Sequence, residues 1–303
     1  MSLTNSVAES LRNVGLDPDY VESLVQRSID EDLDGGVDVT STATVPQGQM
    51  STMDLVTRAD GVVAGIPVAA AVFDLISKGA ASIEIVTADG TRVSRGDVLL
   101  TVSGTTRDLL LSERTALNLL CHLSGVATAT RAWADALDGT RAKVRDTRKT
   151  TPGLRVLEKY AVRCGGGVNH RMSLSDAALV KDNHVVAAGG VAEAFDAVRA
   201  MWPGLSIEVE VDSLEELIEV LDAGADVVML DNFVPEQMRV AVGIAEEHAA
   251  ALGRERVILE ASGGLTLPDA PAVGSTGVDY IAVGALTHSA KVLDVGADLR
   301  PVT

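Results

Sequence analysis

The sequence predicts an α/β protein in which an N-terminal α+β domain of sheet and helix precedes a (β/α) barrel. Three observations favour this fold class. Beyond residue 140, short β-forming runs alternate with helical segments, as in parallel strands joined by right-handed crossovers. Charged and small polar residues recur where these strands end. Before residue 105, several short strands are separated by Asp-Gly and Arg-Gly turns, as in a small sheet.

The first hundred residues contain the elements of the predicted N-terminal domain. An amphipathic helix is expected over 21–30, and the segment EDLDGGVDVT (31–40) is expected to be a loop because it is rich in turn residues. A second helix is expected over 66–77. The β-forming segments that make up the sheet are 52–59, 62–65, 83–87 and 98–102.

A long helical pattern follows over 109–137, and it allows either one helix or two helices broken near Ser124-Gly125. The length of 303 residues suggests two domains, or one barrel with an added module. We place the N-terminal domain at 1–122 and the barrel at 123–290. The tail, 291–303, is expected to return to the N-terminal domain.

The remaining elements alternate regularly. Helices are predicted over 153–163, 189–201, 213–223 and 235–252. Strands are predicted over 143–146, 178–181, 207–211, 226–231, 257–261 and 279–283. This order favours parallel strands.

Polar residues close several of these strands: Lys181 ends ALVK, Glu210 lies late in IEVEV, and Asp231 ends VVMLD. In a parallel barrel the carboxyl ends of the strands converge on one mouth, where active sites are built, so this pattern favours a barrel over a doubly wound sheet. Strand alternation also turns Glu208 and Glu210 to the face opposite the apolar residues between them. Carboxylates inside a barrel need cations opposite them, and the candidates are Lys149, Lys181 or a bound metal.

Composition excludes several classes of partner. The formal net charge of -18 argues against nucleic acid and anionic membranes, which attract positive charge, and 3% aromatic residues leave few platforms for base stacking. The two cysteines, Cys121 and Cys164, fit no metal or redox spacing, and they are expected to be reduced thiols. No signal peptide or membrane span is evident, so a cytoplasmic location is expected.

Positive charge is concentrated in one segment. Residues 141–181 contain ten Lys or Arg and only three acidic residues, in a chain that is strongly acidic overall. Such a basic segment favours a site for an anionic ligand. Arg155, Lys159 and Arg163 lie at helical spacing and are expected to be solvated helix residues, whereas Arg148-Lys149 and His170-Arg171 lie among turn residues.

Two glycine-containing loops are suited to binding phosphate. EASGGL (260–265) and VGALTHSAK (283–291) each follow a predicted strand, and their backbone N–H groups can converge on an anion. Loops on the last two strands are the usual phosphate site of (β/α) barrels. Neither a P-loop nor a GxGxxG dinucleotide motif is present.

These segments resemble the quinolinate phosphoribosyltransferase family over nearly the whole chain. The most specific stretches are DTRKT and GGGVNHR, both within RDTRKTTPGLRVLEKYAVRCGGGVNHR (145–171). Further matches are SERTALNLLCHLSGVAT (112–128), LVKDNH (179–184), EVEVDSLEE (208–216), LDNF (230–233), EASGG (260–264) and GVDYIAVGALTHS (277–289).

The resemblance implies an open-sheet N-terminal domain, an incomplete (β/α) barrel and a homodimer with shared active sites, with a higher oligomer left open. It implies decarboxylating transfer of phosphoribose from phosphoribosyl pyrophosphate to quinolinate, giving nicotinate mononucleotide, with Mg²⁺ as cofactor. The pyridine nitrogen carries its own lone pair, so no Ser-His or Cys-His pair is needed. The acidic substrates explain the basic segment, because Arg grips carboxylates with two parallel hydrogen bonds.

The resemblance also implies roles for individual residues. Lys149, Lys181, Glu210 and Asp231 form the catalytic set, and Glu210 and Asp231 are the candidate Mg²⁺ ligands, whether direct or through water. Arg114 is lent to the neighbouring subunit's site. The expected substrate-binding residues are Arg114, Thr147, Arg148, Lys149, His170, Arg171, Lys181, Glu210, Asp231, Ser262, Gly263, Gly264, Gly284, Ala285, Leu286 and His288.

Three alternatives stay open at this point. A transferase for a related base such as nicotinate would need fewer cations, because nicotinate has one carboxylate. An isomerase or aldolase acting on a sugar phosphate would share the phosphate loops but would not need the DTRKT and HR cations. A binding protein without turnover would keep the ligand contacts alone. The role of His184, which follows a strand end, is also left open.

Overall fold

A computed structural model describes residues 2–301 and divides into two compact units. Unit 1 comprises the chain up to Ala129, Val156–Gly166 and the chain from Ser289, and unit 2 comprises Thr130–Arg155 and Gly167–His288. Most of the helix predicted over 153–163 belongs to unit 1. Lys159 on this helix was expected to be solvated, and that expectation is wrong, because its side chain is fully buried. Within residues 2–301, no helix is both long enough and apolar enough to span a membrane.

Helices and a mixed set of strands form the N-terminal part of the chain. In order, they are α1 Asn5–Asn13, α2 Pro18–Leu33, α3 Val39–Thr44, β1 Met50–Thr57, β2 Gly61–Val62, α4 Ile66–Ile76, β3 Ser82–Ile85, β4 Arg92–Val93, β5 Val98–Thr105 and α5 Thr106–Ala136. Both predicted helices and the strand segments 52–59, 83–87 and 98–102 are confirmed. Of the predicted segment 62–65 only Val62 is strand, and it belongs to β2, which pairs with β4 outside the four-stranded sheet. The 31–40 segment is only partly a loop, because α2 continues to Leu33 and α3 begins at Val39, where Asp38 accepts a hydrogen bond from the Ser41 amide.

Helix α5 is continuous through Ser124-Gly125, so the alternative of two helices broken there is wrong. Gly125 serves a packing purpose instead. A Cβ at this position would lie 2.3 Å from the Lys291 carbonyl oxygen and 2.9 Å from the Val292 Cα. Ser124 also points into a contact, since its Oγ accepts a hydrogen bond from the Ala64 amide. A glycine is therefore needed at position 125, because the backbone of a neighbouring segment passes too close to the helix to leave room for a Cβ.

The second part of the chain alternates strands and helices. The elements are β6 Lys143–Arg145, α6 Arg155–Cys164, β7 Ala178–Val180, α7 Asp182–Ala188, α8 Val191–Met201, β8 Ile207–Val211, α9 Leu214–Asp222, β9 Val227–Asp231, α10 Pro235–Leu252, β10 Ile258–Ser262, α11 Ala270–Gly274, β11 Tyr280–Ala282, α12 Ala285–His288 and β12 Val295–Pro301. The six strands predicted over 143–283 are confirmed. Helices α7 and α11 were not predicted; α7 is short and has no buried residue that would produce an apolar pattern.

The six strands β6–β11 form one parallel sheet in the order β6-β11-β10-β9-β8-β7. A complete barrel has eight such strands, so the predicted incomplete (β/α) barrel is confirmed. In unit 1, the sheet order is β12-β1-β5-β3, and its pairs are antiparallel. The last strand, β12, thus pairs with β1, with Val295 opposite Thr57 and Pro301 opposite Ser51.

Candidate active site

The carboxyl ends of the unit 2 strands surround a cleft of about 280 Å³. Seven of the residues expected to bind substrate line it, together with the apolar side chains of Leu179, Met229 and Ala282. The seven are Thr147, Arg148, Lys149, His170, Arg171, Lys181 and Ser262. Parallel strands place their carboxyl ends at one edge of the sheet, and that geometry brings together residues more than a hundred positions apart.

Two arginines contribute, with Lys149 and Lys181, to the positive charge of this cleft. Burial, and then the neighbouring Arg148, lower the pKa of Arg171, so the two cations are held close enough to repel. The Nη1 of Arg171 donates to the Ala177 carbonyl at 2.8 Å, which fixes the guanidinium. The Nε of Arg148 is buried and has no hydrogen-bond partner among residues 2–301. Buried donors of this kind favour the arrival of an anionic acceptor.

The strand ends carry the acidic residues that the sequence singled out. Glu210 near the end of β8 is ion-paired with Lys181, which directly follows β7. Asp231 ends β9, the neighbouring strand, and accepts a hydrogen bond from Asn232 Nδ2 at 2.6 Å. Lys181 was one of the three predicted partners for the acidic face of β8, and the structure provides it for Glu210.

His184, whose role the sequence left open, caps a helix. Its Nδ1 accepts a hydrogen bond from the Lys181 backbone N–H at 2.9 Å, at the beginning of α7. This bond satisfies one of the N–H groups that the first helical turn leaves without an intrahelical partner. His184 therefore helps to fix the backbone at Lys181.

The two glycine loops follow β10 and β11 as predicted. Gly263 and Gly264 have φ values of 104° and 58°, which favour glycine. At Gly284, a Cβ would lie 3.0 Å from the Lys149 Cδ and 3.3 Å from the His288 Nε2. The absence of a Cβ at this position therefore leaves room for both side chains. Thr287 Oγ1 donates to the Lys149 carbonyl at 2.8 Å and ties this loop to the DTRKT segment. The Leu286 side chain is buried, so only its backbone can reach a ligand.

A buried polar layer lies next to the cleft, and the sequence predicted only part of it. Glu208 and Glu260 are both buried, and Arg145 Nη1 lies 2.6 Å from Glu260 Oε2. Burial, and then Glu208, raise the pKa of Glu260 to about 8, against the opposing effect of Arg145. Alternation along β8 indicated that Glu208 faces inward, but nothing in the sequence identified Arg145 as its neighbour at 3.8 Å.

His170 belongs to this buried layer as well as to the cleft. Its Nε2 lies 2.8 Å from Glu208 Oε2, and its Nδ1 accepts a hydrogen bond from the Arg171 backbone N–H at 2.7 Å. Because Nδ1 accepts this bond, the neutral form of the ring would carry its proton on Nε2, the nitrogen nearest Glu208. The Asp146 carboxylate accepts from the His170 backbone N–H at 2.7 Å and from Asn169 Nδ2 at 2.6 Å. Residues 169–171 are therefore held firmly from two sides.

His170, Glu208 and Glu260 are also the one group of three metal-ligand side chains that residues 2–301 bring within 4.8 Å of one another. Within this group, burial and then Glu208 raise the pKa of Glu260, which favours a proton on that carboxyl. A neutral histidine ligates through a nitrogen without a proton, yet the neutral form of His170 would carry its proton on the Nε2 that faces the carboxylates. Arg145 already supplies positive charge to Glu260.

Arg114 lies on α5 in unit 1, where its side chain is exposed. Its proposed action in the site of a second subunit stays a prediction.

Comparison with known proteins gives the family. The model of the quinolinate phosphoribosyl transferase C-terminal domain matches residues 126–298, and that of the N-terminal domain matches residues 38–124. The chain belongs to the quinolinate phosphoribosyltransferase family.

Relatives within the quinolinate phosphoribosyltransferase family match over most of their length. Nicotinate-nucleotide pyrophosphorylase (carboxylating) of Mycobacterium leprae is 51% identical, over 93% of this chain and 98% of its own. A probable nicotinate-nucleotide pyrophosphorylase (carboxylating) of Bacillus subtilis is 43% identical, over 89% and 90%. The structure of the nicotinate-nucleotide pyrophosphorylase from Francisella tularensis superposes with a TM-score of 0.86 at 37% identity, covering 93% of this chain and 96% of that one.

Proposed function

We propose that this protein transfers phosphoribose from phosphoribosyl pyrophosphate to quinolinate with loss of CO₂, as a step of NAD biosynthesis. The single observation that carries the proposal is the cleft in which Arg148, Lys149, Arg171 and Lys181 converge with Ser262 of the first glycine loop. The second glycine loop packs against Lys149. Quinolinate has two carboxylates and phosphoribosyl pyrophosphate has three phosphate groups, so this reaction requires several cations in one place. The family membership supports the same reaction.

The chemistry assigned to the side chains follows from where charge develops. The pyridine nitrogen forms a bond to the anomeric carbon while the bond from that carbon to pyrophosphate breaks, and pyrophosphate takes the electron pair. The ribose becomes cationic in the transition state, which the Glu210 and Asp231 carboxylates stabilise electrostatically. Arg148 and Arg171 bind the quinolinate carboxylates, and Lys149 faces the departing pyrophosphate.

Decarboxylation completes the reaction. Once the ring nitrogen is alkylated, the pyridinium accepts the electron pair that the 2-carboxylate leaves on the ring carbon as CO₂ departs. A proton from solvent then occupies that carbon. Arg148 and Arg171 orient the ring by its carboxylates throughout, so the protein needs no further acid or base for this step.

Magnesium is part of the proposal. Glu210 lies near the end of β8 and Asp231 ends the neighbouring parallel strand β9, and both offer hard oxygen donors, which fits an ion that binds one or two carboxylates together with substrate phosphates. When bound, Mg²⁺ would offset the charge of the pyrophosphate group.

A homodimer with shared sites, to which each subunit contributes Arg114, belongs to the same proposal. So does a cytoplasmic location, which the two free cysteines, Cys121 and Cys164, support.

Substrate competition tests the choice of base. With phosphoribosyl pyrophosphate and Mg²⁺ present, we expect quinolinate to be consumed with a kcat/KM at least about a hundredfold above that of nicotinate, because nicotinate leaves one carboxylate-binding cation unpaired. Equal kcat/KM values for the two bases would favour the nicotinate transferase instead. Turnover of a sugar phosphate without phosphoribosyl pyrophosphate would favour an isomerase or aldolase.

A further inference from the structure

Asn232, directly after β9, adopts an unusual backbone conformation at the edge of the cleft strands. Its φ is 57°, and it is one of three non-glycine residues within 2–301 with a positive φ; the others are Asp34 and Lys78. Asparagine tolerates this left-handed region better than most residues, but the conformation still has a cost. Conformations of this kind persist where surrounding contacts enforce them.

Two hydrogen bonds join Asn232 to different parts of the proposed phosphoribosyl subsite. Its Nδ2 donates to Asp231 Oδ2 at 2.6 Å, and its backbone N–H donates to the Ser262 carbonyl at 3.0 Å. Asp231 and Ser262 are also partners in the register between β9 and β10. One residue therefore fixes the rotation of a carboxylate and the start of a glycine loop.

Asn232 also explains why glycine follows Ser262. A Cβ on Gly263 would lie 2.3 Å from Asn232 Oδ1 and 2.7 Å from the Asn232 backbone nitrogen. The asparagine thus occupies the space in which a side chain at 263 would stand, and the loop passes directly against it. The two segments are interlocked by shape as well as by hydrogen bonds.

We propose that Asn232 is a positioning residue for the phosphoribosyl subsite, orienting Asp231 through its side-chain amide and holding the Ser262–Gly264 loop through its backbone. This inference rests on the proposed function, because Asp231 and the loop are the groups assigned to ribose and phosphate. The amide acts only through these groups and does not touch the base. Binding of phosphoribosyl pyrophosphate, and not binding of quinolinate, therefore depends on it.

Two substitutions separate the side-chain amide from the backbone conformation. Asn232→Gly retains the left-handed conformation at no steric cost and removes the amide. Asn232→Asp keeps the size of the side chain but replaces the donor with a second carboxylate beside Asp231. We expect either variant to raise the KM for phosphoribosyl pyrophosphate about tenfold, the loss of one hydrogen bond to a charged group, with the KM for quinolinate within about twofold of wild type. Asp34→Gly, at another left-handed position in unit 1, is the matched control and should change neither KM.

Thermal unfolding and calorimetric titration with phosphoribosyl pyrophosphate accompany the kinetics. If Asn232→Gly keeps the wild-type KM for phosphoribosyl pyrophosphate, only the turn matters and the inference is overturned. Equal increases in both KM values would also overturn it, since they indicate a general structural role. If Asn232→Gly does not fold, Asn232→Asp decides by the same criteria. A wild-type enzyme that makes no nicotinate mononucleotide would contradict the proposed function itself, whatever the variants do.

Discussion

At the scale of single residues, the basic cleft depends on guanidinium geometry as well as on charge. Arg171 is fixed by its hydrogen bond to Ala177, and burial lowers its pKa without removing its charge, since arginine stays protonated. A lysine at this position would keep the charge and lose the planar pair of donors.

Arg171→Lys should therefore weaken quinolinate binding by about 1–3 kcal/mol, the worth of a hydrogen bond to a charged group. Isothermal titration with quinolinate measures this directly. Arg199→Lys, at an exposed arginine paired with Asp196, is the matched control and should leave the affinity unchanged. Unchanged quinolinate affinity in folded Arg171→Lys would remove Arg171 from the site.

The buried layer next to the cleft makes stability depend on pH. The pKa of Glu260 is raised from 4.5 to about 8, so the folded protein retains a proton that the unfolded chain releases near pH 4.5. Its stabilising contribution is complete below pH 4.5 and is lost as pH rises through about 8. The charged groups acting on it are Glu208, Arg145 and Asp146.

Glu260→Gln removes this titration while keeping the size of the side chain. Between pH 5 and pH 9 we expect the Tm of wild type to fall relative to that of the variant. Only the wild type has the Glu260 proton, and the stability that this proton contributes is lost as the pH rises. Calorimetry at a series of pH values provides the comparison. Parallel Tm curves for the two proteins would show that Glu260 does not hold a proton in this range.

Sequence reasoning reached the residues of the cleft more readily than the layer beside it. Lys181, Glu210 and Asp231 could be found because each lies at or next to the end of a strand, and parallel strand ends share one edge. Arg145 and Glu260 could not be paired in this way, since they lie on β6 and β10, which are far apart in the sequence and are brought together only by the strand order β6-β11-β10. The alternation of residues along a strand predicts the face of the sheet on which a side chain lies, but it does not predict which residue that side chain contacts.

At the scale of elements, a glycine inside a helix can either allow close packing of a neighbouring backbone or face open space, and the sequence does not distinguish the two. Gly125 lies inside α5, where it marks a close approach by the backbone at Lys291 and Val292. Gly243 lies inside α10, with nothing within 4 Å of where a Cβ would stand. A glycine within a helical pattern is compatible with a continuous helix in both cases, and it is also compatible with a helix break such as the one that the sequence allowed near Ser124-Gly125.

These two glycines form a matched pair of tests. Gly243→Ala should stabilise the protein by about 0.5–1 kcal/mol, because alanine has the higher helix propensity and the space is free. Gly125→Ala gains the same propensity but places a Cβ 2.3 Å from a carbonyl oxygen, so we expect net destabilisation of about 1–3 kcal/mol. Urea unfolding of both variants measures the difference. Stabilisation by Gly125→Ala would contradict the packing described for α5.

The strands of unit 2 were predictable because they are short runs rich in β-forming residues, and most are separated from the next by a helical pattern. Helix α7 was missed because it is short and presents no buried face. The loop predicted over 31–40 was shorter than expected because Asp38 begins a new helix there, a capping signal that its acidic and turn-rich neighbours obscured.

At the scale of the whole molecule, the proposal of shared active sites makes a specific prediction about mixed dimers. Arg114→Ala and Lys149→Ala should each be nearly inactive, since one removes a cation lent to the partner and the other removes a cation of the cleft. In a mixed dimer, one site receives both changes and the other receives neither. Co-refolding the two variants should therefore restore about half of the wild-type activity per mixed dimer, by the symmetry of the two sites.

The control for complementation is each variant refolded alone, which should stay inactive. Mixed dimers verified by differential tagging that remain as inactive as the parents would show that Arg114 does not act across subunits.

Product stoichiometry is the most direct test of a decarboxylating phosphoribosyl transfer by this protein. Quinolinate labelled with ¹⁴C at the 2-carboxylate is incubated with enzyme, phosphoribosyl pyrophosphate and Mg²⁺, and labelled CO₂, nicotinate mononucleotide and pyrophosphate are measured together. We expect the three products in equal amounts, and none when quinolinate, phosphoribosyl pyrophosphate or Mg²⁺ is left out. Nucleotide formed without labelled CO₂, or no nucleotide from quinolinate at all, would contradict the account.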